Sequence, residues 1–412
     1  MVIFVNKAFN FNKINQYDTY IININKRDYE KMQDCIYNLT KKYNYRIKKF
    51  YEIEKTNTKQ FEFNNQIKFI ISHKKLLINI INDILKIYKE ELKNTNVVFL
   101  SGSFARGTNK MSSDIDLHFF YKNNNYNYIY EEIISYIISR VINKSRDCID
   151  PTFIFNIQNE NKIMITSKMD KSKLRVILKY KNKEIKYSYK KGKKRRFYLQ
   201  YTNTRDINKL FNYLSIEIGK NNEEWCHCFE VIKGKKLFNK LYDKIYNQEQ
   251  NLINNNYISN KINVLKETIK VSRNNIINNS ISQYKSYYQS KTFEWIYEYI
   301  SIIRFTLIKE KHIVKYLNLL DIYDMVEENS IINKDILIEI YKYMWNLEKL
   351  TVYCYENKIN YGLHNDDVIN YSTKELDKNL ELLKNQILND LERLGELYEQ
   401  SCFNTTYDAS RW

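Results

Sequence analysis

The chain has 412 residues, which suits two or three domains of roughly 100–200 residues each. Hydrophobic residues (43%) suffice for a core against 28% charged ones, while one proline and seven glycines exclude collagen, proline-rich linkers and turn-dense β-sandwiches. Sixty-six Lys and Arg against 48 Asp and Glu leave a net charge of +18, a field that attracts phosphates and disfavours polycationic substrates.

No run approaches the ~18 apolar residues of a membrane span. The start, MVIFVNKAFNFNK, lacks the pattern of a secretory signal. Six scattered cysteines suggest no disulfide framework, so a reducing cytoplasm is expected. Cys226-His227-Cys228 lacks the second close Cys/His pair that a zinc site needs.

A short strand is expected within residues 1–25. From Asp28 to about Glu91 apolar residues recur at helical steps, as in Ile67, Ile70, Ile71, Leu77, Ile78, Ile81, Ile84 and Leu85. Asn96–Leu100 then reads as a buried strand that ends in the turn Ser101-Gly102-Ser103. A second strand covers Asp114–Tyr121, a helix Tyr128–Val141 and a third strand Cys148–Ile157. Lys173–Tyr189 alternates loosely like a half-exposed hairpin, followed by the basic run Lys190–Arg196. Beyond about residue 203 the pattern is helical to about 400, apart from a strand-like patch at Cys228–Ile232. The Asn-rich stretches Asn123–Asn127 and Asn251–Asn256 read as loops.

The fold expected is α+β. A mostly helical segment (1–90) precedes a domain built on a small mixed sheet (91–245). A large helical domain (246–400) and a flexible tail (401–412) follow.

The chemistry concentrates in Leu100–Leu117. After the first strand, backbone N–H groups and the Ser103 hydroxyl face one point, which suits a phosphate, and Gly102 lets the backbone approach closely. Asp114 and Asp116 stand at i and i+2 on a strand, so both carboxylates project from one face. Such a pair repels unless a cation joins it, and hard oxygen ligands select Mg²⁺ or Mn²⁺. Arg106 offers a guanidinium fork to phosphate oxygens. His118 follows Asp116 at i+2 and shares its face. Thr108 and Lys110 lie in a spacer with a mobile composition. A phosphate cradle beside paired metal carboxylates points to phosphoryl-type transfer from a nucleotide by a two-metal scheme.

Gly102-Ser103, Arg106-Gly107 and Ser113-Asp114-Ile115-Asp116-Leu117 resemble the signature of the DNA polymerase β-like nucleotidyltransferase superfamily. Bacterial members such as the antibiotic, PII-protein and toxin-type transferases carry this version. The order of elements extends the likeness over about residues 70–200. The resemblance implies that the domain at 91–245 is catalytic. It implies an NTP substrate, ATP foremost, with a nucleoside monophosphate passing to an acceptor hydroxyl and pyrophosphate released. It also implies a third carboxylate, a metal ligand and proton acceptor, for which Asp150 and Asp147 compete. The phrase after Cys228–Ile232, Lys233-Gly234-Lys235-Lys236-Leu237-Phe238, looks similar to the close of such catalytic domains. The helices bearing Arg304, Lys309 and Lys311 loosely resemble an acceptor-binding domain, with Glu294 and Glu298 as acceptor-activating candidates.

The acceptor is left open among RNA, a protein side chain and a small hydroxylated molecule such as an antibiotic. The net charge favours an anionic one. The competing reading is a catalytically inactive scaffold or antitoxin-like binding protein on the same fold.

Overall fold

The computed structural model describes residues 2–5, 19–57, 61–110, 113, 115–121, 128–142, 149–150, 156–159, 162–164, 175–180, 183–188, 207–208, 211, 227–271, 287–288, 291–327, 332–356 and 366–407. The fold is α+β, and the chain divides into two compact units. Unit 1 comprises Met1–Glu54, Ile71–Ala105 and Ser113–Ile245; unit 2 comprises Lys55–Ile70, Arg106–Ser112 and Tyr246–Trp412.

Two strands, β1 (Val2–Val5) and β2 (Thr19–Asn23), precede the long helices α1 (Lys26–Asn57) and α2 (Phe63–Ile87). Asn25 starts α1 by accepting the Asp28 N–H at 2.8 Å and donating its own amide to the Asp28 carboxylate at 2.9 Å. This reciprocal cap satisfies donors that a helix start leaves orphaned. Strand β3 (Thr95–Leu100), the short helix α3 (Gly102–Arg106), strand β4 (Ile115–Tyr121) and helix α4 (Tyr128–Val141) follow. Next come the two-residue strand β5 (Ile149–Asp150) and the strands β6 (Asn156–Asn159), β7 (Lys162–Met164), β8 (Arg175–Tyr180) and β9 (Lys183–Ser188). Strand β10 (Glu230–Lys233) completes the sheets, and α5 (Lys235–Leu252) leaves them.

One sheet runs β1-β2-β8-β9 and another β10-β3-β4-β5; β6 and β7 form a separate hairpin. In the second sheet β3 is antiparallel to β4 and β10, while β5 runs parallel to β4, so it is small and mixed. The described ends of the expected third strand lie in different sheets. Its head, Ile149–Asp150, joins the sheet, and Asn156–Asn159 joins β7 instead. Pro151 has no N–H with which to continue a ladder.

Strands β3 and β4 read as near-continuous apolar runs because both are buried almost throughout. Ile80, Ile81 and Ile84 of α2, Val98 and Leu100 of β3 and Ile133, Ile134 and Ile137 of α4 form one cluster. Each such side chain contributes about 1.5–3 kcal/mol when fully buried. Tyr130 of α4 donates to Asp28 at 3.2 Å, and Lys31 of α1 pairs with Glu91 at 2.6 Å. Burial pushes the Cys35 thiol of α1 up to about 12, so it packs as an inert apolar group.

Unit 2 is helical. It contains α6 (Asn255–Val271), a π-helical turn at Thr292–Ile296 leading into α7 (Tyr297–Lys309), then α8 (Leu319–Glu327), α9 (Lys334–Glu356) and α10 (Asp366–Tyr407). The Asn-rich stretch at 251–256 is no long loop: only residues 253–254 separate α5 from α6. Asn254 caps α6 by accepting the Tyr257 N–H at 2.9 Å. Helix α10 runs to Tyr407, past the expected end near residue 400, because no glycine or proline interrupts the sequence there.

Arg304 is buried in unit 2, where it grips Glu249 with two bonds of 2.5 and 2.6 Å. It also donates to the Lys315 carbonyl at 3.3 Å. The Arg304 and Glu249 side chains are 1% and 2% exposed, so this arginine is spent on structure. Among the described residues no helix is long and apolar enough to cross a membrane.

Removing one member of a buried pair strands the other charge without compensation. Glu249→Ala is expected to cost about 3–5 kcal/mol in urea unfolding, whereas exchanging both Glu249 and Arg304 for apolar residues of similar volume costs much less.

Candidate functional site

The site is built where β3 ends. Gly102 follows Leu100-Ser101 with φ at +63°, a region that side-chain-bearing residues avoid. A Cβ there would lie 2.0 Å from the Asp116 Oδ2 and 3.1 Å from its Cγ. Only a glycine lets the β4 carboxylate lie against the turn. The backbone locks the same junction, since the Ser101 N–H donates to the Asp116 carbonyl at 3.0 Å. The Cys228 thiol donates to the Gly102 carbonyl at 3.3 Å, and Glu230 of β10 sits in register with Leu100.

Asp116 is half-buried on β4 between buried Ile115 and Leu117, as strand alternation requires. The parallel β4–β5 pairing sets the Asp116 and Asp150 backbone positions opposite each other. Ser103, also half-buried, lies in the first turn of α3. Asp114 and Asp147 lie outside the described residues, as does the basic run Lys190–Arg196.

His118 is fully buried. Its Nε2 shares a 2.8 Å hydrogen bond with the Ser101 hydroxyl, and its ring stacks on Phe99 with centroids 4.8 Å apart. This residue braces the β3–β4 junction from inside. His227, from the sequence's weak zinc candidate, hydrogen-bonds the Tyr242 hydroxyl through Nδ1. Among the described residues no three metal-ligating side chains cluster.

Arg106 belongs to unit 2, where its buried guanidinium stacks on the Tyr297 ring at 4.4 Å. The start of the spacer after it is packed. Thr108 and Asn109 are buried, and Asn109 donates to the Ile70 carbonyl at 3.2 Å. Gly107, with φ at +77°, gives its carbonyl to the Tyr341 hydroxyl at 3.0 Å. Glu294 lies in the π-helical turn and pairs with Lys291 at 2.9 Å, while Glu298 is exposed one turn on. Lys291 is itself buried and faces the Trp295 ring at 5.1 Å.

Sequence reading passed over Cys228 as part of this site and missed Lys74. Lys74 of α2 pairs with Glu230 of β10 at 2.8 Å and ties that edge strand to the helix. A lysine and a glutamate 156 residues apart leave no local signal.

The donor type at this point is one a hard divalent cation takes. Asp116 supplies a carboxylate whose oxygen fills the space a Cβ would occupy, and a second aspartate stands at the register position opposite it.

A sequence family described as a nucleotidyltransferase domain matches residues 81–199. Curated proteins offer no match. The matched stretch contains β3, Gly102, Ser103, Asp116 and Asp150, and the match is consistent with the DNA polymerase β-like superfamily.

Gly102→Ala forces either a strained left-handed alanine or displacement of the Asp116 carboxylate. The left-handed conformation alone costs about 1–2 kcal/mol. Urea unfolding of this variant is expected to show a loss of at least that size.

Proposed function

We propose that the protein transfers a nucleoside monophosphate from an NTP, ATP foremost, to an acceptor hydroxyl and releases pyrophosphate. The observation that carries this reading is the contact of the Asp116 carboxylate with the left-handed Gly102 turn, inside a nucleotidyltransferase domain. A transferase needs a triphosphate grip and a carboxylate at one point, and the approach of Asp116 to the turn that carries Ser103 supports that reading.

In this reading Ser103 and the backbone N–H groups after Gly102 bind triphosphate oxygens. Asp114, Asp116 and Asp150 would hold divalent magnesium, whose charge, when bound, counters that of the attacking and leaving oxygens. Asp150 accepts the proton of the acceptor hydroxyl. The freed oxygen bonds to the α-phosphorus while the bond from that phosphorus to the pyrophosphate oxygen breaks. Asp150 is preferred to Asp147 because its backbone position is in register with Asp116. Arg106 is assigned to phosphate oxygens because a guanidinium forks onto them. The high net positive charge favours an anionic acceptor.

The test is transfer of label from α-³²P-labelled NTPs into separate pools of RNA, protein and metabolites. Asp114→Asn, Asp116→Asn and Asp150→Asn are each expected to lower incorporation by a factor of about 100 or more, in line with losses of key electrostatic groups. Asp147→Asn is expected to retain most activity. Full incorporation by the Asp116 variant would end the proposal.

A further inference from the structure

The helical pair α1–α2 carries a groove that shares no residue with Gly102, Ser103, Asp116 or Asp150. Its volume is about 450 Å³, and Lys42, Arg46 and Lys86 line it together with Asn79, Asn82 and Asp83. The groove's carboxylate is already engaged. Lys42 pairs with Asp83 at 2.5 Å, and the Tyr43 hydroxyl donates to the same oxygen at 2.7 Å. Burial pushes the Asp83 carboxyl up, but these two bonds outweigh it and hold the group below its ordinary value. Arg46 has no ion-pair partner among the described residues, and three cations face one carboxylate.

The outer face of α1 continues the pattern. No acidic residue occurs between Cys35 and Tyr51, and Lys41, Lys42, Arg46, Lys48 and Lys49 are all exposed. Two tyrosines stand among them in water, Tyr37 at 68% and Tyr45 at 77% exposure. Tyr37, Lys41, Tyr45 and Lys49 follow at steps of four and so form one stripe along the helix. Four residues advance about 6 Å, so the cations meet successive charges of an extended polyanion, more than a single small anion requires. Exposed aromatic rings between cations are what unpaired bases stack on, since every base offers a π-face.

We infer that the α1–α2 face binds single-stranded nucleic acid, with one backbone phosphate seated among Lys42, Arg46 and Lys86 and unpaired bases stacked on Tyr37 and Tyr45. This binding is separate from nucleotidyl transfer and is measured without it.

The probe is a fluorescein-labelled oligoadenylate RNA of about 20 nucleotides, read by anisotropy against the full chain over a salt series. In the double variant Arg46→Glu, Lys86→Glu affinity falls at least about tenfold, and the slope of log affinity against log salt drops by about 2. Tyr45→Ala weakens binding by about fivefold or more, while Tyr45→Phe retains it. The double variant Lys374→Glu, Lys378→Glu removes the same charge from exposed positions of α10 and changes affinity less than about twofold. Thermal unfolding of each variant checks that the fold is kept, and Tyr45→Ala, at an exposed position, carries the test if charge reversal unfolds the chain. Three results would overturn the inference: no binding by the wild type, equal losses in the two double variants, or displacement of the RNA by inorganic phosphate at matched ionic strength. The last would mark a small-anion site.

Discussion

A missing Cβ governs the geometry at the end of β3. The Asp116 carboxylate occupies the volume that any side chain at position 102 would claim. Two features that look separate in the sequence, a glycine turn and an aspartate 14 residues later, are therefore one packed object. The turn adopts a left-handed backbone because glycine tolerates it, and the carboxylate approaches because nothing stands in its way. The Ser101-to-Asp116 backbone bond fixes the distance. Electrostatics and sterics meet here, since the same vacancy that relieves the turn lets an anion lie against it. In the proposed function a divalent cation would offset the repulsion between that carboxylate and a triphosphate.

The surroundings hold that junction still. Val98, Leu100, Ile115 and Leu117 join one apolar cluster, Phe99 packs against Phe120, Phe229 and Phe238, and His118 is pinned between Ser101 and Phe99. A strand buried on both faces cannot slip in register without exposing its core residues. Ser101 stays with Asp116 for that reason. Cys228 and the Lys74–Glu230 pair fasten the edge strand β10 alongside. In unit 2 a comparable stiffness comes from polar groups, with Arg304 and Glu249 buried together and Tyr299 donating to Asp390 at 2.8 Å.

Local chemistry made much of this legible in the sequence. The helix Tyr128–Val141 and the strand ending at Tyr121 follow from apolar periodicity, which changes sharply between helical and strand segments. Gly102, Ser103 and Asp116 stood out because their spacing encodes a turn followed by a strand. What escaped reading was nonlocal. Glu249 and Arg304 lie 55 residues apart, and each alone looks like a solvated helix residue. The same holds for Lys74 and Glu230. The spacer at Thr108 and Asn109 reads as polar and mobile, yet it is buried because the Asn109 amide satisfies itself on the Ile70 carbonyl. The partners of the third strand were not legible either, since nothing local says that Ile149–Asp150 pairs with β4 and Asn156–Asn159 with β7.

In the proposed function Asp116 forms a cation and triphosphate site with the Gly102 turn. Titrating Mn²⁺ with a nonhydrolysable ATP analogue, and following free Mn²⁺ by electron paramagnetic resonance, reads that site without requiring an acceptor. Nucleotide-dependent Mn²⁺ binding by the wild type, weakened by a factor of about 10–100 in Asp116→Asn, is the predicted result. Equal binding by the two proteins, both folded, would contradict it.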